Sequence, residues 1–400
     1  LQLCENLMQG LDRRRLEAEL LIGLGRIQIA IKGQSDVEAS VFLNRAADLV
    51  RDNDPEMLAR ALYPLGNIAT TRVDLQTAEA IGRELLELGE RTGDMGIATA
   101  GHVRLGIVAF YQGHFAAARH SLSMALDLHQ SPRTTLLEVS VGSAPDTTTQ
   151  YLSGTLAYLG YPEQAIALAE PAIERARTLG GASFAVATIL TIWSRTLMLV
   201  GDYDRCRECT DSLVAIADEQ GFPLYAARGR CVLGWLHAER GNVGEGLAML
   251  SEGLEVLHRL ESRRELTFIN ALMADGLAWS AQYADAMHLL EKSLEYAAHT
   301  GGRWFDAELH RRKAELLLMG PLRDAVAAEH ELLEAIDTAR GQAAKPFELR
   351  AAMALARLWL KAGRRADANK LLVPIYASFT EGFATPDLLA CSSLLRETVG

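Results

Sequence analysis

The sequence predicts an all-α fold: a right-handed superhelical solenoid of about nine helical hairpins, closed by a C-terminal capping helix. Three observations predict it. A short phrase recurs along the chain: a Gly, an aromatic or aliphatic residue two positions on, and a small residue three later. It reads Gly113-His114-Phe115 to Ala118, Gly160-Tyr161-Pro162 to Ala165, Gly201-Asp202-Tyr203 to Cys206, and Gly241-Asn242-Val243 to Gly246. With slippage it continues as Gln282-Tyr283 to Ala286, Gly320-Pro321-Leu322 to Ala325 and Gly363-Arg364-Arg365 to Ala368, after weaker copies at Val37 to Ala39 and Leu75 to Ala78. The small positions return every ~40 residues, a period in the range of helical-hairpin repeats. The second observation is the apolar stripe between these marks, as in Ala165, Leu168, Ala169, Ala172, Ile173 and Ala176, which has the period of a helix with one buried face. The third is composition: 49% of the residues are hydrophobic and only 11 of 400 are Pro, which favours ordered helices over disorder.

Leu1 to Gly10 reads as the tail of a preceding helix, so residues 1–11 are set apart and the chain is expected to be a piece of a longer polypeptide. The first hairpin runs from about Asp12 to Asn53, and the repeats continue to about Phe379. Breaks between hairpins fall at Arg91-Thr92-Gly93-Asp94, Thr178-Leu179-Gly180-Gly181, Glu219-Gln220-Gly221-Phe222 and His299-Thr300-Gly301-Gly302. A Gly just past a polar helix end enters the left-handed conformation that closes a helix. Within each hairpin the recurring Gly makes the turn, and the small residue lets the second helix approach the first. Ser131 to Asp146, with Pro132, Gly142, Ser143 and Pro145, is the longest connection. Pro386 to Thr398 reads as a helix covering the last repeat, within a capping segment of residues 380–400.

A solenoid buries each repeat only against its neighbours and presents an extended surface, so binding is the expected role and catalysis is not. Acidic residues outnumber basic ones, 51 against 40, for a formal charge of −11. That balance disfavours nucleic acid, whose backbone needs clustered Lys and Arg. The longest uncharged run, Thr178 to Ser194, is shorter than the ~20 apolar residues of a membrane span. Five scattered cysteines suit a reducing cytoplasm better than a disulfide framework.

The motifs of chemistry are absent or incomplete. There is no GxxxxGK[ST] phosphate loop, GxSxG elbow or HExxH pair, and Gly23-Leu24-Gly25 lies inside a helical stretch. No cofactor is expected. Cys206 and Cys209 form one CxxC, with Cys231 a helix later; a zinc site there is the alternative to plain packing. Glu308 lies four before Arg312 and Glu315 four after Arg311, so pairing is expected to neutralise the run Arg311-Arg312-Lys313. The first helices carry large aromatic and basic residues suited to anchoring a bound segment: Tyr225, Arg228, Arg230, Trp235 and His237, then Arg303, Trp304, His310 and Arg311. Packing of Trp235 and Trp304 between repeats is the competing reading.

Several stretches carry a resemblance. They are WFDAELHRRKAELLL (Trp304 to Leu318), ARGQAAKPFELRAAMALARLWLKAGR (Ala339 to Arg364) and PIYASFTEGFATPDL (Pro374 to Leu388). Earlier come EQGFPLYAARGRCVLGWLHAERG (Glu219 to Gly241) and GYPEQA (Gly160 to Ala165). The chain resembles the C-terminal tetratricopeptide-repeat (TPR) region of bacterial multidomain signalling proteins. In that family a class III adenylate/guanylate cyclase or a winged-helix DNA-binding domain precedes a P-loop ATPase domain. Ser378, Ala384 and Ala314 depart from the usual Trp, Asp and Gly. The resemblance implies a non-catalytic sensor arm that binds a protein, peptide or small effector in a concave groove and biases the upstream ATPase domain. Self-association through exposed terminal repeats is a further expectation.

Overall fold

The computed structural model describes residues 11–33, 36–129, 144–178, 183–319 and 323–399. Among them are 19 α-helices and no strand. Consecutive helices pair as hairpins. The first three are α1 (Leu11–Lys32) with α2 (Val37–Val50), α3 (Pro55–Arg72) with α4 (Leu75–Thr92), and α5 (Met95–Gln112) with α6 (Phe115–His129). The next three are α7 (Ala144–Tyr158) with α8 (Pro162–Thr178), α9 (Ser183–Val200) with α10 (Tyr203–Gln220), and α11 (Pro223–Glu239) with α12 (Val243–Arg259). The last are α13 (Leu266–Trp279) with α14 (Tyr283–Thr300), α15 (Asp306–Leu318) with α16 (Ala325–Gln342), and α17 (Lys345–Lys361) with α18 (Arg365–Ala377). Helix α19 (Pro386–Val399) packs on α17 and α18. The tail expected before residue 11, and most of the 131–146 connection, lie outside the described residues. Asp146 belongs to the first turn of α7.

Local chemistry explains where the helices begin and end. Asp36, Asp54, Asp74, Asp94, Asp202 and Asp324 each cap a helix, their carboxylates accepting from main-chain N–H groups of the first turn. The turn at Gly113 has φ 81°, where a side chain would be strained; Val73 takes the same role in the second hairpin at φ 63°. From α4 onward the fourth residue of each even-numbered helix is the contact point with the preceding helix, and in α2 the third, Ala39, takes that place. Ala78, Ala118, Ala165, Cys206, Ala286 and Ala368 are fully buried there. In the eighth hairpin the small residue is Ala328 rather than Ala325. Asp324 caps α16, so Ala325 is the first helical residue and faces solvent, three positions short of the contact.

Gly246 holds this contact point in α12. A Cβ there would sit 2.4 Å from the Gly234 carbonyl oxygen and 2.7 Å from the Ala238 Cβ. Gly246→Ala is therefore expected to cost about 1–3 kcal/mol through forced separation of α11 and α12. The loss would be read as a lower urea midpoint with an unchanged slope.

The odd- and even-numbered helices are buried differently. α12 and α14 bury one stripe each, Gly246, Leu250, Gly253 and Leu257 in the first and Ala286, Leu290, Ser293 and Ala297 in the second. α5 and α11 are buried on nearly every side. The even helices form the outside of the superhelix, and the odd helices have neighbours on their inner faces as well. Those neighbours belong to the same chain, returned by one turn of the superhelix. Arg72 pairs with Glu261 at 2.6 Å, 189 residues on. The Thr71 carbonyl accepts from the N–H groups of Arg263 and Arg264 at 3.0 and 3.1 Å, and the Tyr111 carbonyl accepts from that of Trp304 at 3.2 Å. Arg350 donates to the Leu199 carbonyl at 2.6 Å. The Glu381 carboxylate caps the start of α8 by accepting from the N–H groups of Glu163 and Gln164 at 2.8 and 3.1 Å. The inner side expected as a trough is thus largely filled by the chain itself. No described helix is long and apolar enough to cross a membrane.

Candidate ligand-binding interior

Two polar networks occupy this interior. The first gathers side chains from α3, α5, α7, α9 and α11 around the turn that precedes α13. Glu265, in that turn, lies 2.7 Å from Arg228 Nε, 3.3 Å from Arg195 Nη1 and 3.7 Å from Arg264 Nη2. The Glu265 and Arg195 side chains are 5% exposed and that of Arg228 4%. Burial pushes the Glu265 carboxyl up, but Arg228, Arg195 and Arg264 outweigh it and hold the group at about 2. Arg228 also donates to the Ser262 hydroxyl at 3.2 Å. The Tyr111 hydroxyl lies 3.5 Å from Arg195 Nη1 and 3.4 Å from the Tyr151 hydroxyl. The Tyr225 hydroxyl is 2.8 Å from that of Thr188. Arg104, in α5, is fully buried and donates to the Thr70 hydroxyl, the Asn67 side chain and the Tyr63 carbonyl. It fits because residue 66 is Gly: a Cβ there would meet Arg104 Nε at 2.6 Å.

An aromatic cluster adjoins this network at the seam. Trp304, 1% exposed, lies with ring centroids 5.2–6.0 Å from Phe110, Tyr111, Tyr158, Phe268 and Phe305. The Arg195 guanidinium sits over the Trp304 ring at 5.3 Å.

The second network runs along α13, α15, α17 and α19. Asp275 accepts from Trp235 Nε1 at 2.9 Å and from Arg312 Nε at 3.0 Å. Glu308 accepts from Arg311 at 2.7 Å and also from Arg312, and Arg350 lies 3.9 Å from it. Arg350 reaches Asp387 of α19 at 2.7 Å. Burial raises the Glu308 carboxyl, and Arg311, Arg312 and Arg350 together hold it well below the usual carboxylate range. The pairings Glu308–Arg312 and Arg311–Glu315 expected from spacing are present.

Of the nine residues expected to anchor a bound segment, eight fall into three groups. Tyr225, Arg228 and Trp304 belong to the first network and its aromatic flank, and each is 3% exposed or less. Trp235 and Arg311 belong to the second. His237, Arg303 and His310 lie in neither: His237 is 3.4 Å from Arg207, Arg303 pairs with Asp306 at 2.9 Å, and His310 with Glu331 at 2.7 Å. Arg230, on the opposite side of α11 from Arg228 by helical spacing, pairs with Asp218 at 2.8 Å and is partly exposed. The large side chains sit inside the superhelix, under a returning turn, where an open trough would leave them wet.

Sequence reasoning missed Arg104, Arg195, Arg264 and Glu265. For two of them a signal existed. Arg195 is the only charged residue of α9, and Arg104 is the only Lys, Arg, Asp or Glu of α5. A lone guanidinium in an apolar helix needs a buried partner. Glu265 carries no such mark, because its burial depends on the turn returning to α3 and α5.

The cysteines do not assemble. Cys206 and Cys209 of α10 face α9, with Sγ 3.3 Å from the Ser194 carbonyl oxygen and 3.5 Å from that of Leu190. Cys231 faces α12, 3.8 Å from the Leu250 carbonyl. The alternative of zinc at these three positions is corrected by this geometry. Among the described residues no cluster of His, Cys, Asp or Glu could hold a metal. Burial pushes the Cys206 and Cys231 thiols up to about 12, the signature of packed thiols.

No family model matches the chain, and no curated protein matches it in sequence. Solved structures do resemble it. The Rap conjugation gene regulator of plasmid pLS20, in complex with the Phr* peptide, superposes with TM-score 0.55 at 12% identity, over 96% of this chain and 98% of that one. A Rap protein complexed with competence and sporulation factor gives 0.53 at 15%, over 78% and 88%. The quorum sensor NprR of B. thuringiensis, in its apo form, gives 0.53 at 12%, over 91% and 99%. The fold is a TPR-like solenoid.

Proposed function

We propose that this chain is a non-catalytic regulatory arm, a closed TPR-like superhelix that binds a protein, peptide or small effector. The binding would be reported as a change at the seam between its turns. The seam carries this reading. It joins residues up to 219 positions apart, and around the buried Trp304 and Glu265 clusters it is held by main-chain hydrogen bonds and partly exposed ion pairs, the latter worth only ~0–1 kcal/mol each. Contacts that weak around a packed centre suit an element with two arrangements, and a ligand that prefers one shifts the balance. The family resemblance supplies the output, an upstream P-loop ATPase linked to a cyclase or winged-helix module. Of the solved structures alike in fold, one holds the Phr* peptide and another competence and sporulation factor, which supports a peptide or similar effector here. The double variant Arg72→Ala/Glu381→Ala is expected to raise the radius of gyration in small-angle scattering and to change nucleotide turnover of the parent polypeptide severalfold. Unchanged turnover in this variant, and again after deletion of the whole arm, would overturn the proposal.

Self-association is the second reading. Leu20, Leu24, Ile27, Val37 and Val41 of the first hairpin are 40–60% exposed and give it an apolar outer surface. Light scattering of the wild type and of Leu24→Glu tests it: a dimer lost in the variant supports this reading, and a wild-type monomer at all concentrations removes it.

A further inference from the structure

The first interior network does not balance its charge. Four guanidiniums, Arg104, Arg195, Arg228 and Arg264, gather there, and their side chains are all about nine-tenths buried or more. Among the described residues, Glu265 is the only carboxylate within ion-pair distance of any of them. Three positive charges are therefore in excess. Among the described residues Arg104 has no carboxylate partner: it bonds a hydroxyl, a side-chain amide oxygen and a carbonyl. Its Nε, that of Arg264 and the Thr71 hydroxyl are buried without a hydrogen-bond partner.

Ring faces offset part of the cost. Arg104 lies over Tyr63 at 5.3 Å, Arg264 over Tyr111 at 5.2 Å and Arg228 over Tyr225 at 5.7 Å. Such contacts leave the N–H edges of the guanidiniums, which are what recognise oxyanions. Unpaired charge in a low-dielectric interior is strongly unfavourable, and an anion that joins the cluster removes that cost. The edge of the network is not sealed: Tyr63 and Asn67 are half-buried, and the Arg264 side chain is 11% exposed.

We propose that this arginine–tyrosine cluster, contributed by α3, α5, α7, α9, α11 and the turn before α13, is a binding site for a compact multivalent oxyanion. Phosphate and carboxylate groups share the required chemistry. The site lies where the turn of residues 262–265 meets α3 and α5, so its occupant bears directly on the seam. In that respect the inference deepens the regulatory reading above and rests on it for its consequence, while the binding itself does not.

The experiment follows thermal unfolding and calorimetry of this chain with inorganic diphosphate, inorganic phosphate and citrate, each against sodium chloride of equal ionic strength. A rise of several degrees over chloride is expected, and the better of diphosphate and citrate assigns the source of the anion. Asn67→Asp places a carboxylate against Arg104 without changing shape. It is expected to raise the melting temperature of the ligand-free protein and to weaken anion binding about tenfold. Two results would overturn the site: stabilisation no greater than that by chloride, or an undiminished response in Asn67→Asp. Because binding is read on this chain alone, its failure is distinct from a failure of the seam variants to alter the parent polypeptide.

Discussion

Glu265→Gln is expected to lower the stability of the chain by about 3–5 kcal/mol at neutral pH, the cost of leaving buried charges without their partner. Gln keeps the shape and one acceptor but removes the negative charge that Arg195, Arg228 and Arg264 share. The effect has a pH signature. The carboxyl is held at about 2 in the folded protein, below the ~4.3 of an unperturbed Glu in the unfolded chain. Its contribution is thus fully present above the unfolded value and drains away as pH falls toward the folded one. Urea titrations at pH 7 and pH 3 should show a wide gap between wild type and variant at pH 7 and a narrower one at pH 3. Equal midpoints at pH 7 would show that the guanidiniums are satisfied without it.

Trp304→Ala should be comparably damaging, at about 3–5 kcal/mol for an aromatic residue lost from a packed core. Trp304 does more than fill space. It carries the main-chain bond to Tyr111 and stacks among rings from α5, α7, α13 and the turn before α15, so it ties one turn of the superhelix to the next. Its removal should loosen the seam as well as the core. Small-angle scattering of the variant under native conditions is expected to show a larger radius of gyration, and chemical denaturation a lower midpoint. Trp304→Phe, which keeps an apolar ring in the cluster, should recover much of both. A destabilised variant with an unchanged radius would mean that the polar contacts hold the seam unaided.

The repeats were legible because each is specified locally. Gly113 needs its left-handed turn, Asp94 caps the helix it precedes, and Ala118 must be small to let α6 meet α5; all three act within a few residues. The pairing of Arg311 and Arg312 with Glu315 and Glu308 was legible for the same reason, as neighbours on one helical face. The eighth repeat was misplaced by three residues because its turn has no Gly-aromatic phrase in register, and Asp324 sets the start instead.

The interior was not legible. Arg228 stands out in its helix, yet its partner Glu265 lies more than 30 residues on, in a turn whose sequence reads as an ordinary connection. Trp304 looked equally suited to a groove or a core. Spacing cannot choose between those, because it does not say how far each hairpin rotates against the last.

By itself the sequence determined the unit and its repetition: helix, turn, helix, with one face of each given to its neighbour. Those are short-range matters of capping, backbone conformation and apolar period. Only the tertiary structure decided that the stack closes on itself and seals Arg195, Arg228 and Arg264 around one carboxylate, with Arg104 buried beside them. Small rotations accumulated over successive hairpins bring Arg72 to Glu261 and Tyr111 to Trp304, and that sum has no mark in any single repeat.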